Sequence, residues 1–269
     1  MAFNSAFNLD ALVVPTKAAT VYAAHEASMF LGGQLIPIGN IPAGSASLQV
    51  PLMGSVTATK ITAEGVTDDI PAGAITDTKV DIPAAIYAAR TVLRDLGGID
   101  PQELGRVLGN GVATKFDQDV NAAMQLAAIG NAVDTGGTVS LNFIFDAVKK
   151  IRDSGDRGQI YGLLSTSMAT NLLKNIGTAA YAGSEFQGTA MQNGSIGTVA
   201  GVQMFVTSYM TANVGTLYTA DAFRIGMFKN IDLEIERSAA AVGNDCVASL
   251  HAGVGLVDAS RACRLFDVA

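Results

Sequence analysis

The feature that most constrains this chain is a two-armed β pattern that has no apolar core of its own. In the range 52–94, two alternating segments flank a polar bend at 64–73. A two-stranded ribbon is only marginally stable in water unless other elements pack on it. We therefore expect a long, projecting hairpin that a neighbouring subunit supports. Its apolar positions are Val56, Ala58 and Ile61 on the way out and Ile75, Val80 and Ile82 on the way back.

The chain before this hairpin predicts an arm and one short helix. Residues 1–15 show no steady period and end in a proline, which favours an extended arm. Thr16 can cap a helix over 17–31 that the pair Gly32-Gly33 ends. Three prolines in 34–51 restrict its short β runs to edge or boundary strands. The apolar side of the short helix is expected to carry Val21, Tyr22 and Met29.

The strongest helix signal follows the hairpin. Asp100 and Pro101 give an N-cap and a first-turn proline, and apolar residues then recur every four positions to about Ile129. Three glycines in the first half each weaken a helix by about 1 kcal/mol relative to Ala. The helix could bend or break there, or the glycines could let another backbone approach closely. The apolar positions are Leu104, Leu108, Val112, Phe116, Val120 and Met124, and the glycines are Gly105, Gly109 and Gly111.

The remaining sequence alternates between helix and strand signals. Ser140 can cap a helix that ends near Ile151, the range 159–164 predicts a strand, and the range 166–176 predicts a helix. A glycine-rich and polar loop follows at 178–193. The chain is therefore predicted to have an α+β fold with a strand-heavy last third. The short β runs of that third lie at 196–206, 215–218, 222–228, 231–236, 247–256 and 264–268.

The composition favours contacts between copies of the chain. Of 269 residues, 49% are hydrophobic and 15% are charged, whereas soluble domains average roughly 25% charged residues. The 17 basic and 24 acidic residues give a net charge of −7, which argues against a dedicated DNA-binding domain. Neither a membrane span nor a secretory signal is predicted. A surface with so little charge is typical of broad subunit contacts.

Sequence motifs for catalysis and cofactor binding are missing. The glycine-rich phosphate loops, the HExxH and EF-hand motifs and the nucleophile elbow do not occur. His25 and His251 are expected to have structural roles, and Cys246 and Cys263 are expected to be buried, reduced thiols. Spacing alone does not refute a Ser/His/Asp site, because triads assemble across a fold. The sequence predicts no enzyme, no cofactor and no metal.

The polar bend of the hairpin carries the acids Glu64, Asp68 and Asp69. In the simplest interpretation, they are solvated. The alternative is that they meet basic residues of a neighbouring subunit, for which Arg90 and Arg94 at the base of the hairpin are candidates. These five residues are the inter-subunit contact candidates that the sequence offers.

Several segments of the chain stand in an informative order. The first half contains LIPIGNIPAGSASLQVP, a hairpin with AEG at 63–65, YAARTVLRDL and the long helix from Pro101. The second half contains IYGLLSTSMATNLLKNIG, IGTVAGVQMFVTSYM, LYTADAFRIGMF and IDLEIERSAAAVGNDCVASLHAGVGLVDASRACRL. Together they resemble the tailed-bacteriophage major capsid protein with the HK97 fold. Each piece is loose, but their order covers essentially the whole chain.

The resemblance implies a division of the chain into four parts. Residues 1–40 would form the N-terminal arm with its short helix, and residues 41–97 the E-loop hairpin and its base. Residues 98–139 together with 226–269 would form the P-domain with its spine helix and sheet. Residues 140–225 would form the A-domain.

The function that the resemblance implies is structural. The chain would assemble into hexamers and pentamers of an icosahedral phage head that encloses double-stranded DNA without sequence-specific contacts. Its partners would be copies of itself, a separate scaffolding protein, a portal and a decoration protein, with assembly in the host cytoplasm and a final place in the virion. The alternatives are an encapsulin-type nanocompartment shell, which packages protein cargo, and a small oligomeric α+β enzyme.

Overall fold

The computed structural model describes residues 9–54, 77–94, 100–126, 129–136, 139–178, 197–238 and 243–266. It confirms the α+β prediction. The helices are α1 (Leu9–Ala27), α2 (Pro101–Met124), α3 (Leu141–Asp153) and α4 (Thr166–Thr178). The strands are β1 (Ile38–Asn40), β2 (Ser47–Met53), β3 (Asp77–Pro83), β4 (Ala85–Arg94), β5 (Asn131–Asp134), β6 (Ile160–Ser165), β7 (Thr198–Val199), β8 (Val202–Thr207), β9 (Val214–Thr219), β10 (Phe223–Ser238), β11 (Gly243–Leu256) and β12 (Ala262–Phe266).

Within these ranges the strands form three sheets. A four-stranded sheet has the order β1-β10-β11-β4, and a six-stranded sheet has the order β5-β12-β9-β6-β8-β7. The third sheet is the antiparallel ribbon of β2 and β3. The edge position of β1 and the two-stranded ribbon confirm that the proline-rich range 34–51 supplies only edge strands.

Two apolar cores hold the sheets and helices together. In the first, α2 packs on one face of the four-stranded sheet, and all six of its recurring apolar positions are buried. The ring of Phe116 meets that of Tyr87 on β4 edge-on at 5.5 Å. In the second core, Ile144 of α3 and Leu172 of α4 pack with residues of the six-stranded sheet such as Leu217.

Glycines on α2 bring the backbone of α1 into close contact. A Cβ atom on Gly105 would lie 2.5 Å from the carbonyl oxygen of Thr16, and one on Gly109 would lie 2.3 Å from that of Thr20. Both distances are far shorter than real side chains tolerate. The glycines therefore let α1 lie directly on α2, which remains one continuous helix. Of the alternatives left open by the sequence, close backbone approach is the correct one.

We predict that Gly109→Ala and Gly111→Ala change stability in opposite directions. A methyl group on Gly109 would push α1 away from α2, which we expect to lower the free energy of unfolding by roughly 1–3 kcal/mol. The nearest atom to a Cβ on Gly111 is 3.8 Å away. That substitution should raise the free energy of unfolding by up to about 1 kcal/mol through helix propensity. Urea denaturation of the unassembled chain measures both, and stabilisation by Gly109→Ala would contradict the packing argument.

A buried carboxylate on α2 fixes the end of α1. Asp117 accepts hydrogen bonds from the Ser28 hydroxyl at 2.5 Å and from the Met29 backbone N–H at 3.0 Å. The Ser28 hydroxyl in turn accepts from the backbone N–H groups of Phe30 and Leu31. Burial raises the pKa of the Asp117 carboxyl, and its two hydrogen bonds offset this only in part.

We predict a pH-dependent difference in stability between the wild type and Asp117→Asn. A carboxyl whose pKa is raised on folding binds its proton more tightly in the folded chain, so its stabilising contribution is lost as the pH rises through the folded-state pKa. Asn keeps the shape but cannot titrate. Denaturation at a series of pH values should show the wild type losing stability relative to the variant as the pH rises. A difference that does not vary with pH would refute the assignment.

The prediction for the N-terminal helix was wrong in its limits and in its buried side. Helix α1 begins at Leu9 and continues through Pro15. A proline inside a helix removes one backbone hydrogen bond, and in this chain it does not end the helix. Tyr22, predicted on the apolar side, is 71% exposed. The buried side carries small residues such as Thr20 and Ala24 instead, since only small side chains fit against the α2 glycines.

Other boundaries shift by a few residues. Helix α2 ends at Met124 and not near Ile129. The two strands predicted at 222–228 and 231–236 form the single strand β10, whose register with β11 shifts between Met227 and Asp232. The hairpin is confirmed at its base, where β2 pairs with β3. Its outer positions, its bend and nearly all of the loop predicted at 178–193 lie outside the described residues.

The predicted domain boundaries stay a prediction. The six-stranded sheet contains strands from two of the predicted domains. Strands β5 and β12 pair with each other in the six-stranded sheet, and β12 also pairs with β9. Both strands fall in the range assigned to the P-domain. The other strands of the six-stranded sheet, β6 to β9, fall in the range assigned to the A-domain.

Candidate subunit-contact surfaces

Glycines of the four-stranded sheet let the base of the β2–β3 ribbon pack closely against that sheet. Leu48 and Ile82 are directly paired across the ribbon. A Cβ on Gly39 or Gly226 would lie 2.8 or 3.0 Å from Leu48 atoms, and one on Gly255 would lie 2.7 Å from Ile82. A side chain at any of these positions would lift the ribbon from the sheet. We call Gly39, Gly226, Gly253 and Gly255 the glycine seat; a Cβ on Gly253 would lie 2.0 Å from the Pro83 carbonyl oxygen.

The ribbon has one apolar and one polar face. The pairs Leu48–Ile82 and Val50–Val80 lie on the same face, because side chains two residues apart in a strand point the same way. Gln49 and Asp81 lie opposite. Ile82 is fully buried on the glycine seat, whereas Leu52, Val50 and Val80 are partly exposed. The apolar face therefore extends beyond the part that the four-stranded sheet covers. We call Val50, Leu52 and Val80 the distal apolar face.

The outer side of α1 is a second exposed apolar surface. Val14 is 68% exposed and Tyr22 is 71% exposed, and Ala18 lies between them at helical spacing. Together with Lys17, Val21 and His25 they line a shallow depression of about 610 Å³. Large apolar residues grouped in this way are typical of protein contacts.

The face of the four-stranded sheet opposite α2 mixes charge with apolar groups. Arg90 of β4 donates through Nε at 2.9 Å to Asp245 of β11, and the two form an exposed ion pair. Ile86 of β4 is 69% exposed. Phe228 stacks on His251 with the ring centroids 6.1 Å apart.

The structure places only part of the predicted contact set. Arg90 is bound to Asp245 of its own chain and keeps much of its surface open to solvent. The strand position of Arg94 is described, at the end of β4, but its side chain is not. Glu64, Asp68 and Asp69 lie outside the described residues. Pairing of these acids with arginines of a neighbour stays a prediction.

The histidines and cysteines in the described part of the chain lie apart from one another. No group of three or more potential metal-ligating side chains occurs there. His251 stacks on a phenylalanine, and His25 lies in the last turn of α1. Cys246 and Cys263 are buried and free, as expected, and burial raises the pKa of Cys263 to about 11. None of the helices that are described is long and apolar enough to span a membrane.

Comparison with known proteins supports a fold assignment. No family model and no curated protein matches this chain. Among solved structures, the capsid structure of cyanophage P-SCSP1u is similar over 90% of this chain and 88% of its own, with a TM-score of 0.71 at 18% identity. The acid-stable capsid structure of Helicobacter pylori bacteriophage KHP30 is similar over 90% of this chain and 92% of its own, with a TM-score of 0.68 at 11% identity. The chain has the HK97 capsid fold.

A virus-like particle from Pyrococcus furiosus has a similar chain as well. It is similar over 94% of this chain and 98% of its own, with a TM-score of 0.64 at 11% identity. In the predicted division of the chain, α2 corresponds to the spine helix and the β2–β3 ribbon to the base of the E-loop. Exposed apolar side chains thus lie on the outer side of α1 and on the face of the four-stranded sheet opposite α2, and the ribbon adds apolar side chains that are partly exposed.

Sequence reasoning missed the glycine seat and the outer side of α1. Glycines at 253 and 255, two residues apart in a strand-like run, could have indicated close approach of another backbone to one face of that strand. The outer side of α1 was hidden by the assumption that Pro15 ends an extended arm. With a helix through Pro15, the positions Val14, Ala18 and Tyr22 fall on one line.

Proposed function

We propose that this chain is a major capsid protein that assembles into hexamers and pentamers of an icosahedral phage head around double-stranded DNA. The observation that carries the proposal is the distal apolar face of the ribbon, whose side chains stay partly exposed beyond the glycine seat. Such a face is costly in water, and a second copy of the chain is the simplest cover. The HK97 fold supports this assignment, because the similar chains form capsids or a virus-like particle.

The role we propose needs no catalytic site. Burial of apolar surface and pairing of strand edges would hold the subunits together, with contributions repeated at every copy in the shell. The net charge of −7 gives the chain no overall attraction for DNA. We expect the genome to be enclosed without sequence-specific binding. We expect a scaffolding protein, a portal and a decoration protein as partners, and assembly in the host cytoplasm.

Electron microscopy tests this proposal directly. Negative-stain images and light scattering of the concentrated, purified chain, alone and with co-expressed scaffolding protein, should show closed shells or flat hexameric sheets. Nucleic acid inside the shells supports a phage head, whereas protein cargo would identify a nanocompartment. A uniform dimer or tetramer under all of these conditions would overturn the proposal and favour a small oligomeric enzyme.

We predict that assembly depends on the distal apolar face and not on the ribbon as a whole. Val80→Asn places a polar amide on this face, and Asp81→Asn places the same group on the opposite face one residue later. Because an unpaired amide is costly to bury, Val80→Asn should lower the yield of assembled particles at least about tenfold, equivalent to about 1.4 kcal/mol per contact. Asp81→Asn should assemble like the wild type. Sedimentation of both variants measures the yield, and equal yields would contradict the prediction.

A further inference from the structure

The two larger sheets are connected at one crowded junction. Strand β9 enters β10 through a short 3₁₀ turn at Ala220–Ala222, and β11 enters β12 through another at Ala259–Arg261. The backbone N–H groups of Val257 and Asp258 both donate to the carbonyl oxygen of Ala222, at 2.8 and 3.2 Å. The two crossings between the sheets are thus hydrogen-bonded to each other.

A third connection between the sheets reaches the same place. The chain runs from α2 into β5, and Asn131 at the start of β5 donates from its amide to the carbonyl oxygens of Ser260 and Ala262, at 3.0 and 3.3 Å. All three connections therefore meet around the second 3₁₀ turn.

Arg261 is surrounded by carboxylates from three different segments. Its Nε lies 3.0 Å from Asp258 of its own turn. Its Nη1 lies 3.3 Å from Asp221 of the β9–β10 crossing and 3.7 Å from Asp156 of the loop between α3 and β6. The guanidinium can serve all three because it carries five donors in a planar fork, which a lysine ammonium does not.

Asp156 is the most firmly held of these acids. It accepts from the Thr219 hydroxyl at 2.6 Å and from the Gly158 backbone N–H at 2.8 Å, and its side chain is 11% exposed. Burial raises the pKa of Asp156, but these hydrogen bonds and the charges of Arg261 and Arg152 outweigh burial, so the pKa lies below its usual value. The carboxylate therefore stays charged and fixed, and gives Arg261 a rigid attachment point on the six-stranded sheet.

On the core side, apolar contact holds much of the junction, and the Thr216 hydroxyl of β9 also donates to the Met124 carbonyl oxygen of α2 at 2.7 Å. Tyr218 of β9 meets Phe223 of β10 edge-on, with the ring centroids 5.6 Å apart. Apolar contact is not directional, so it keeps the sheets together without fixing the angle between them. Charge-assisted hydrogen bonds are directional and can fix that angle.

We propose that Arg261 is an electrostatic pin that sets the angle between the two sheets. With it, the positive charge of Arg261 lies among all three carboxylates, whereas Arg152 acts on Asp156 alone among them. Without it, those carboxylates repel each other and push the crossings apart. This inference goes beyond the proposed function and does not depend on it, since the pin acts within one chain.

The test is a distance measurement between the sheets by double electron–electron resonance. Spin labels are placed on Gln203→Cys in β8 and Ala88→Cys in β4, both at exposed positions. The native Cys246 and Cys263 are buried and do not compete for the label. Dilution of labelled chains with excess unlabelled chains keeps the measured distance within one molecule, whether or not the chain assembles.

Arg261→Met should shift the mean distance and widen its distribution. Asp221→Asn removes one of the three carboxylates that pair with Arg261, and should widen the distance distribution less than Arg261→Met does. This variant also tests the proposal if Arg261→Met does not fold. The triple variant Arg261→Met with Asp221→Asn and Asp258→Asn removes most of the repulsion and should bring the mean back to the wild-type value. Arg106→Met is the matched control, since that arginine pairs with Glu103 within α2.

The outcomes distinguish an electrostatic role of Arg261 from a role in side-chain packing. A distribution that matches the wild type in both Arg261→Met and Asp221→Asn would overturn the proposal. A shifted mean that persists in the triple variant would overturn it too, because the shift would then come from lost side-chain packing and not from charge. Since the distance is measured within single chains, failure of the chain to form shells leaves this test intact.

Discussion

The fit of Leu48 and Ile82 onto glycines of the neighbouring sheet is the contact on which the exposed surfaces of this chain depend. Because Gly39, Gly226 and Gly255 have no side chains, the base of the ribbon lies flat on the four-stranded sheet. A flat base gives the ribbon a fixed direction. The rest of its apolar face is then held in a defined position, where it can meet another copy without first paying the entropy of ordering a loose hairpin.

The same physical device recurs between the two longest helices. Gly105 and Gly109 let α1 lie on α2 at backbone distance, and the Asp117–Ser28 hydrogen bond fixes the end of α1. This orientation places small residues inside and leaves Val14 and Tyr22 outside. Glycines thus determine which apolar groups the fold buries and which it leaves exposed. The low charge of the chain agrees with the proposed assembly, since surfaces that become buried between copies cannot carry many unpaired charges.

Much of the fold was predictable because its strongest signals are local. The four-residue repeat in α2, its Asp100 cap and the alternation in β2 and β3 depend on near neighbours in sequence. Most of the glycine seat was not predictable in the same way, since Gly226, Gly253 and Gly255 contact ribbon residues 170 to 178 positions earlier in the chain. The limits of α1 were misjudged because the cost of Pro15 is local, whereas the packing on α2 that sets the buried side is not. For the candidate site, the sequence indicated a hairpin needing support but not the surfaces around it.

In the proposed assembly, another copy of the chain covers the distal apolar face of the ribbon. A cryo-electron microscopy reconstruction of particles formed by the purified chain tests it most directly. We expect a closed shell in which a neighbouring copy lies within about 4.5 Å of the side chains of Val50 and Val80. A small closed oligomer, or a shell in which both side chains face solvent, would contradict it.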